Sequence, residues 1–271
     1  MSSIFRTLIP LTILTVLFLA VGYYFAGSAG MALGFIMALG ANLLAYWYSD
    51  KFVLMAYGAK KVKSNDYPEV YASLEKIAKK ANIPVPPLYY VNVDVPNAFA
   101  TGRDPEHAAV AVTKGLLAHL NTEEVEAVLA HEIGHVKNRD TLISAMAATL
   151  AGAITWFAHM FIFSSNEDRS AASYLLLLIV APLAATILQL AISRGREFEA
   201  DKFGAHMSDP LDLASALEKI SAAATAQPAK GDPSMSALFI VNPFAPDFLA
   251  RLFSTHPPVE ERISVLRHMS V

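Results

Sequence analysis

Three long stretches of this chain carry no Asp, Glu, Lys or Arg, and they limit its fold more than any other feature. Forty-three residues separate Arg6 from Asp50, 26 separate Asp140 from Glu167, and 24 separate Arg169 from Arg194. A helix that crosses a bilayer needs about 20 apolar residues. The second and third stretches each fit one span. The first fits two, with a turn at Ala26-Gly27-Ser28-Ala29-Gly30. The pattern predicts four spans, near 6–26, 30–48, 143–164 and 171–193. A core helix of a soluble protein would show a polar stripe, and the run from Tyr174 to Pro182 has none. Tyr23, Tyr24, Tyr46, Trp47 and Tyr48 sit where interfacial aromatics are expected. The alternative for the first segment is a signal peptide cleaved near Gly27-Ser28-Ala29, but the apolar stretch after it would still leave a span.

Composition agrees. Charged residues make up 17 % of the chain, against roughly 25 % in soluble domains, and the mean hydropathy is +0.40. The net charge of −3 leaves no basic footprint, so nucleic acid is not an expected partner. The lipid bilayer is. With no cysteine, disulfides and thiolate chemistry are excluded, and any metal must be held by His, Asp or Glu. Lys51, Lys60, Lys61, Lys63, Arg194, Arg196 and Lys202 flank one side of the spans, whereas the loop between the third and fourth offers only Arg169. The positive-inside bias then places both termini and the polar regions in the cytoplasm.

The expected organisation is helices 1 and 2 over residues 1–50, a membrane hairpin of helices 3 and 4 over 141–193, and one discontinuous cytoplasmic domain from 51–140 and 194–271. The chain as a whole reads as a mostly α integral membrane protein. In the polar part, Tyr67 to Ala81 reads as an amphipathic helix with Pro68 in its first turn. Leu88 to Asp94 and Ala109 to Thr113 read as strands, most simply in a small antiparallel sheet. Asn121 and Glu124 form a capping-box pair ahead of an apolar-periodic helix that runs toward Asp140. Helices follow Arg194 and span Leu211 to Ala224, and a short one closes the chain between Pro257 and Met269. Residues 227–246 read as a loop, either a lid or a linker.

The chemistry concentrates on the capped helix. His131-Glu132-Ile133-Gly134-His135 is an H-E-x-x-H motif. Residues i and i+4 share a helix face, roughly 6 Å apart along the axis, so two imidazoles can share one zinc ion. Glu132, turned about 100° round the helix, can hold the water on that zinc. A catalytic zinc takes three protein ligands and leaves one position open. The best third ligand is Glu197, which shares a face with Asp201 at i, i+4 spacing. Two like charges at that spacing repel by a few tenths of a kcal/mol, and a facing cation reverses the sign. Asp201 can accept from a ligating histidine ring. The tetrahedral oxyanion needs another donor, with His256, Tyr89, Tyr90 and Arg262 as candidates. An even number of crossings between His135 and Glu197 is required for the two to meet.

With these residues assembled, the chain resembles the HtpX family of bacterial membrane zinc endopeptidases, relatives of the type I CAAX prenyl endopeptidases. The resemblance spans nearly the whole length. It is carried by the four spans, by Pro96-Asn97-Ala98-Phe99-Ala100-Thr101-Gly102, by the H-E-x-x-H, by Ser193 to Asp201, and by Ser254-Thr255-His256-Pro257-Pro258 running on to Ile263. It implies a zincin-like (gluzincin) domain with one Zn2+ held by His131, His135 and Glu197, and Glu132 as the base. It also implies Asp201 orienting a ligating histidine, Asn97 on an edge strand that aligns substrate, His256 near the reacting carbonyl, and Arg262 as a structural or oxyanion-side arginine. The implied role is quality control of misfolded or damaged membrane proteins at the bacterial inner membrane. Two other readings are a prenyl-peptide processor, which needs an enclosed lipid chamber, and a membrane scaffold or transporter with a structural metal. The latter would want acids within its spans and a fourth protein ligand.

Overall fold

The computed structural model describes residues 3–146, 194–226, 239–241 and 257–270. The expected spans at 143–164 and 171–193, and His256, fall largely or wholly outside them. Helix α1 (Ser3–Ala56) is broken at Ala26 and Gly27, where Gly27 has φ 58°. That left-handed conformation suits glycine and ends the first arm where the apolar sequence turns. The second arm folds back on the first. Asn42 Nδ2 donates to Thr15 Oγ1 at 3.0 Å and to the Leu11 carbonyl at 3.4 Å. Among the described residues one helical stretch, Ala26–Ala56, is long and apolar enough to cross a membrane.

The polar domain follows. Strand β1 (Lys60–Lys61) leads to α2 (Pro68–Ala81). Pro68 starts α2, and Asn82 ends it in a left-handed conformation, as a C-terminal stop requires. Strands β2 (Leu88–Val91), β3 (Ala98–Thr101) and β4 (Ala109–Thr113) come next. The sheet order is β1-β2-β4-β3. This corrects the antiparallel expectation: β4 is antiparallel to β3 but parallel to β2, so the sheet is mixed. The reason lies in β4. All five of its residues are buried, and a strand covered on both faces belongs in the sheet interior. β4 therefore inserts between β2 and β3, and β3 is an edge among the described strands.

Helix α3 (Lys114–His119) precedes α4 (Thr122–Lys137), which carries the motif. The capping box is present in full, with Asn121 accepting from Glu124 N–H and Glu124 accepting from Asn121 N–H. Helix α4 stops short of Asp140. Arg139 takes φ 58°, and a new helix begins at residue 140. Helices α5 (Arg194–Met207) and α6 (Pro210–Ala226) pack on α4, and α7 (Val259–Arg267) packs on α5 and α6. Leu74, Ile77, Val110, Val112, Leu129, Ile133, Leu217 and Leu266 form the shared core.

Glu124 also ties α4 to α6. Its carboxylate accepts from Ser215 Oγ at 2.6 Å and from Lys219 Nζ at 2.8 Å. Burial works to raise its pKa, but Lys219, Ser215 and the Asn121 N–H outweigh it and hold the carboxyl below its ordinary value. A carboxyl depressed in the folded state adds stability above its unfolded pKa, and that stability disappears as pH falls through the folded one. Glu124→Ala keeps the Asn121 side-chain cap on the backbone N–H of residue 124 but removes the carboxylate that accepts from Asn121 N–H, Ser215 and Lys219, so a loss of about 2 kcal/mol is expected. Denaturation in detergent should show this gap between wild type and variant at neutral pH, shrinking as pH falls below the ordinary value of 4.5.

Candidate metal centre

The helices α4 and α5 meet closely because each offers a glycine at the contact. A Cβ on Gly134 would stand 3.1 Å from the Phe203 ring, and one on Gly204 would stand 3.1 Å from the His131 backbone nitrogen. Backbone stands close behind both positions, with Ala200 Cα 3.3 Å from the first and the His131 backbone against the second, so side chains there would press the helices apart. This approach carries Glu197 and Asp201 onto the face of α4 that presents His131 and His135.

The result is a tight group of three donors. The two imidazole Nε2 atoms are 3.2 Å apart. Glu197 Oε2 is 3.8 Å from His131 Nε2, and Oε1 is 3.5 Å from His135 Nε2. Ligand atoms from all three residues lie within 4.8 Å of one another. Zinc–nitrogen bonds of about 2.0–2.1 Å in a tetrahedral arrangement place two nitrogens roughly 3.4 Å apart. The donor set fits zinc in both identity and spacing.

Each histidine has a carboxylate behind it. His131 Nδ1 is 2.9 Å from Asp201 Oδ1, which turns its Nε2 toward the cluster. His135 Nδ1 is 3.4 Å from Asp140 Oδ2. Asp140 in turn lies 3.3 Å from Arg196 Nε. The left-handed turn at Arg139 brings Asp140 back beside the helix it follows. The sequence reading takes Asp140 only as the point toward which the capped helix runs. Its place five residues after a motif histidine was the available signal.

Arg262 closes the other side, fully buried on α7. Its Nε and Nη2 donate to Asp201 Oδ2 and Oδ1 at 2.8 and 2.7 Å. Nη1 lies 3.3 Å from Glu197 Oε2 and donates to the Ile240 carbonyl at 3.3 Å. Burial lifts Asp201, but the Arg262 charge and hydrogen bonds prevail and lower it to about 2. His135 is pulled down by burial and pushed further up by Asp140, Glu197 and Glu132, reaching about 9. Glu132 is raised, chiefly by burial, against the pull of the two histidines. A base starting from a raised pKa holds its proton more firmly once it has taken it.

Glu132 and Asn97 connect the cluster to the sheet edge. Glu132 Oε2 accepts the Ala100 N–H of β3 at 2.8 Å. Asn97 is wholly buried, and its Oδ1 accepts the Ile240 N–H at 3.0 Å. It anchors residues 239–241 beside the entrance to β3. Phe239 adds a ring contact with Tyr57, which also packs on Phe99. Of the oxyanion candidates, Tyr90 stacks on Tyr67, and both Tyr89 and Tyr90 lie on β2, with β4 between them and β3. Arg262 is committed to buried carboxylates. The rest of 227–246 lies outside the described residues.

The carboxylate behind each imidazole should matter for metal affinity. Asp140→Asn is expected to weaken zinc binding about 10- to 100-fold, measured by competition with a chromophoric chelator. Unchanged affinity would reduce Asp140 to a buried ion-pair partner of Arg196.

The profile of peptidase family M48 matches residues 64–270. Proteins named Protease HtpX homolog are similar over almost the full length. That of Sulfurihydrogenibium sp. is 45 % identical, covering 100 % of this chain and 97 % of the relative. That of Salinibacter ruber is 45 % identical, with 98 % of each covered. That of Methylibium petroleiphilum is 44 % identical, covering 99 % and 98 %. Among solved structures, S. mikatae Ste24p matches with a TM-score of 0.53 at 17 % identity, over 93 % of this chain and 62 % of that one, a likeness of fold. On a match that takes in both histidines, the acid and the arginine that binds it, the chain belongs to peptidase family M48.

Proposed function

We propose that this chain is an integral-membrane zinc endopeptidase that cleaves misfolded or damaged membrane proteins beside the bilayer. It is a metallopeptidase, and its metal is zinc. The observation that carries the reading is the convergence of His131, His135 and Glu197 next to a buried glutamate that accepts the Ala100 N–H of the sheet edge.

In this reading His131, His135 and Glu197 hold the metal, and Asp201, Asp140 and Arg262 orient them. Bound there, zinc supplies Lewis-acid polarisation of the scissile carbonyl and lowers the pKa of water toward ~7. Glu132 takes the proton of the attacking water and returns it to the leaving amine. The Ala100 N–H fixes one Glu132 oxygen, so the proton would be taken on Oε1. β3 is an edge, and an extended substrate can add to it through backbone hydrogen bonds, which tolerates many sequences. Asn97 acts on that edge indirectly, by holding residues 239–241 in place. His256 is proposed to donate to the reacting carbonyl.

Four spans and a cytoplasmic domain split as 51–140 and 194–271 belong to the same proposal. The folded-back arms of α1 support a multi-pass chain. His135 and Glu197 lie 3.5 Å apart, which supports an even number of crossings between them, such as the hairpin expected at 141–193. The lysines after α1 support a cytoplasmic side at the inner membrane. A structural metal is not favoured, because three ligating groups rather than four gather among the described residues.

Glu132→Gln keeps an oxygen acceptor for Ala100 but removes the base. The purified variant should retain zinc and lose hydrolysis of an unfolded polypeptide by about 100- to 10,000-fold, and activity near wild type would end the proposal. Glu197→Ala should instead lower the zinc retained after dialysis. Full stoichiometry at high dilution would remove Glu197 from the ligand set.

A further inference from the structure

A cavity of about 470 Å³ lies away from the metal cluster, where the end of α1 meets the turn between β3 and β4. Its size is that of a small-molecule site. One wall is a single helical stripe of α1, with Trp47, Lys51 and Leu54 at i, i+4 and i+7. The opposite wall is the segment after β3, which contributes Arg103, Glu106 and His107.

The lining is mixed in charge. Lys51 and Arg103 supply two cations, and Asp50 and Glu106 supply two carboxylates. The Arg103 guanidinium sits 4.7 Å over the Trp47 ring, while its Nε is 3.5 Å from Asp104. Lys51 Nζ lies 4.9 Å from the Tyr48 ring centre. These contacts hold both cations at the aqueous end of the apolar stretch Ala26–Ala56. Trp47 is nonetheless half exposed, and so are Leu43, Leu44, Ile36 and Leu33 farther along the same arm. A Cβ on Gly40 would meet nothing within 4 Å. A polar pocket thus adjoins an exposed apolar strip of α1 that shares Trp47 with it.

A free anion would meet as many carboxylates as cations here. A molecule with one negative and one positive group, and an apolar tail, satisfies both sets. We propose that this pocket holds a zwitterionic phospholipid, with its phosphodiester on Lys51 and Arg103, its primary ammonium on Asp50 and Glu106, and its acyl chains along the exposed face of α1. The inference rests on the membrane placement of α1 proposed above, and it is independent of the zinc chemistry. Because Arg103 follows the edge strand by two residues, the bound headgroup would brace the segment next to Ala100.

The test uses the full-length zinc-loaded protein, delipidated in detergent and titrated with phosphatidylethanolamine or phosphatidylglycerol, with retained lipid read by native mass spectrometry. One phosphatidylethanolamine per chain should be held in preference to phosphatidylglycerol. Losing a hydrogen bond to a charged group is worth about tenfold, so Arg103→Gln should lower retention of both lipids by about that factor. Glu106→Gln should erase the preference while leaving phosphatidylglycerol unchanged. Equal retention of the two lipids by wild type would overturn the proposal. So would variants that match wild type, or saturation by glycerophosphoethanolamine or inorganic phosphate as tight as by lipid. Zinc content and melting temperature are read on the same samples, and Lys51→Gln replaces Arg103→Gln if the latter fails to fold. Lost hydrolysis with lipid selectivity intact would count against the protease reading alone. Recovery of the chain without detergent would count against the membrane placement.

Discussion

Everything at the metal centre depends on the close approach of α4 and α5. Two helices normally sit 8–10 Å apart, with the distance set by the side chains between them. Gly134 and Gly204 remove those side chains at the contact. Glu197 can then reach across to the imidazoles from a helix that lies some sixty residues later in the chain. The short reach of a glutamate makes the packing distance a condition of ligation.

That approach concentrates charge in a dry interior. Glu197, Asp201, Glu132 and His131 are all buried. Carboxylates taken from water cost several kcal/mol each unless matched. Arg262 offsets two of them at once, and its bidentate grip on Asp201 also leaves that residue fixed against His131. Removing a partner from such a network leaves a buried charge behind, so the site and the fold are energetically coupled. A divalent metal held by His131, His135 and Glu197 would add positive charge beside Glu197 and Glu132 and so complete the balance.

The sheet contributes through its edge. β4 occupies the interior because it is buried along its whole length, which among the described residues leaves β3 with one unpaired side. The Ala100 N–H on that side finds Glu132 in place of another strand. The proposed base and the edge that would align a substrate are thereby joined by one hydrogen bond. Both ends of β3 are constrained as well, by Asn97 through Ile240 and by the Thr141 hydroxyl on the Gly102 carbonyl. The path from α1 through Arg103 to β3 connects this edge to the apolar helix Ala26–Ala56.

Much of this was legible in the residues. The charge-free stretches, the break at Gly27, the capping box at Asn121 and the i, i+4 pairing of His131 with His135 and of Glu197 with Asp201 are short-range facts. They follow from helix geometry and local hydrogen bonding, so the sequence carries them without reference to the rest of the chain. What needed the folded structure was every choice among distant partners. β4 rather than β3 took the sheet interior, Asp140 turned back onto His135 through a left-handed residue, Asn97 became a buried anchor, and Arg262 was drawn in between two acids. Those outcomes depend on how much surface each arrangement buries and on which polar groups it satisfies, and such energies are summed over contacts between elements far apart in sequence.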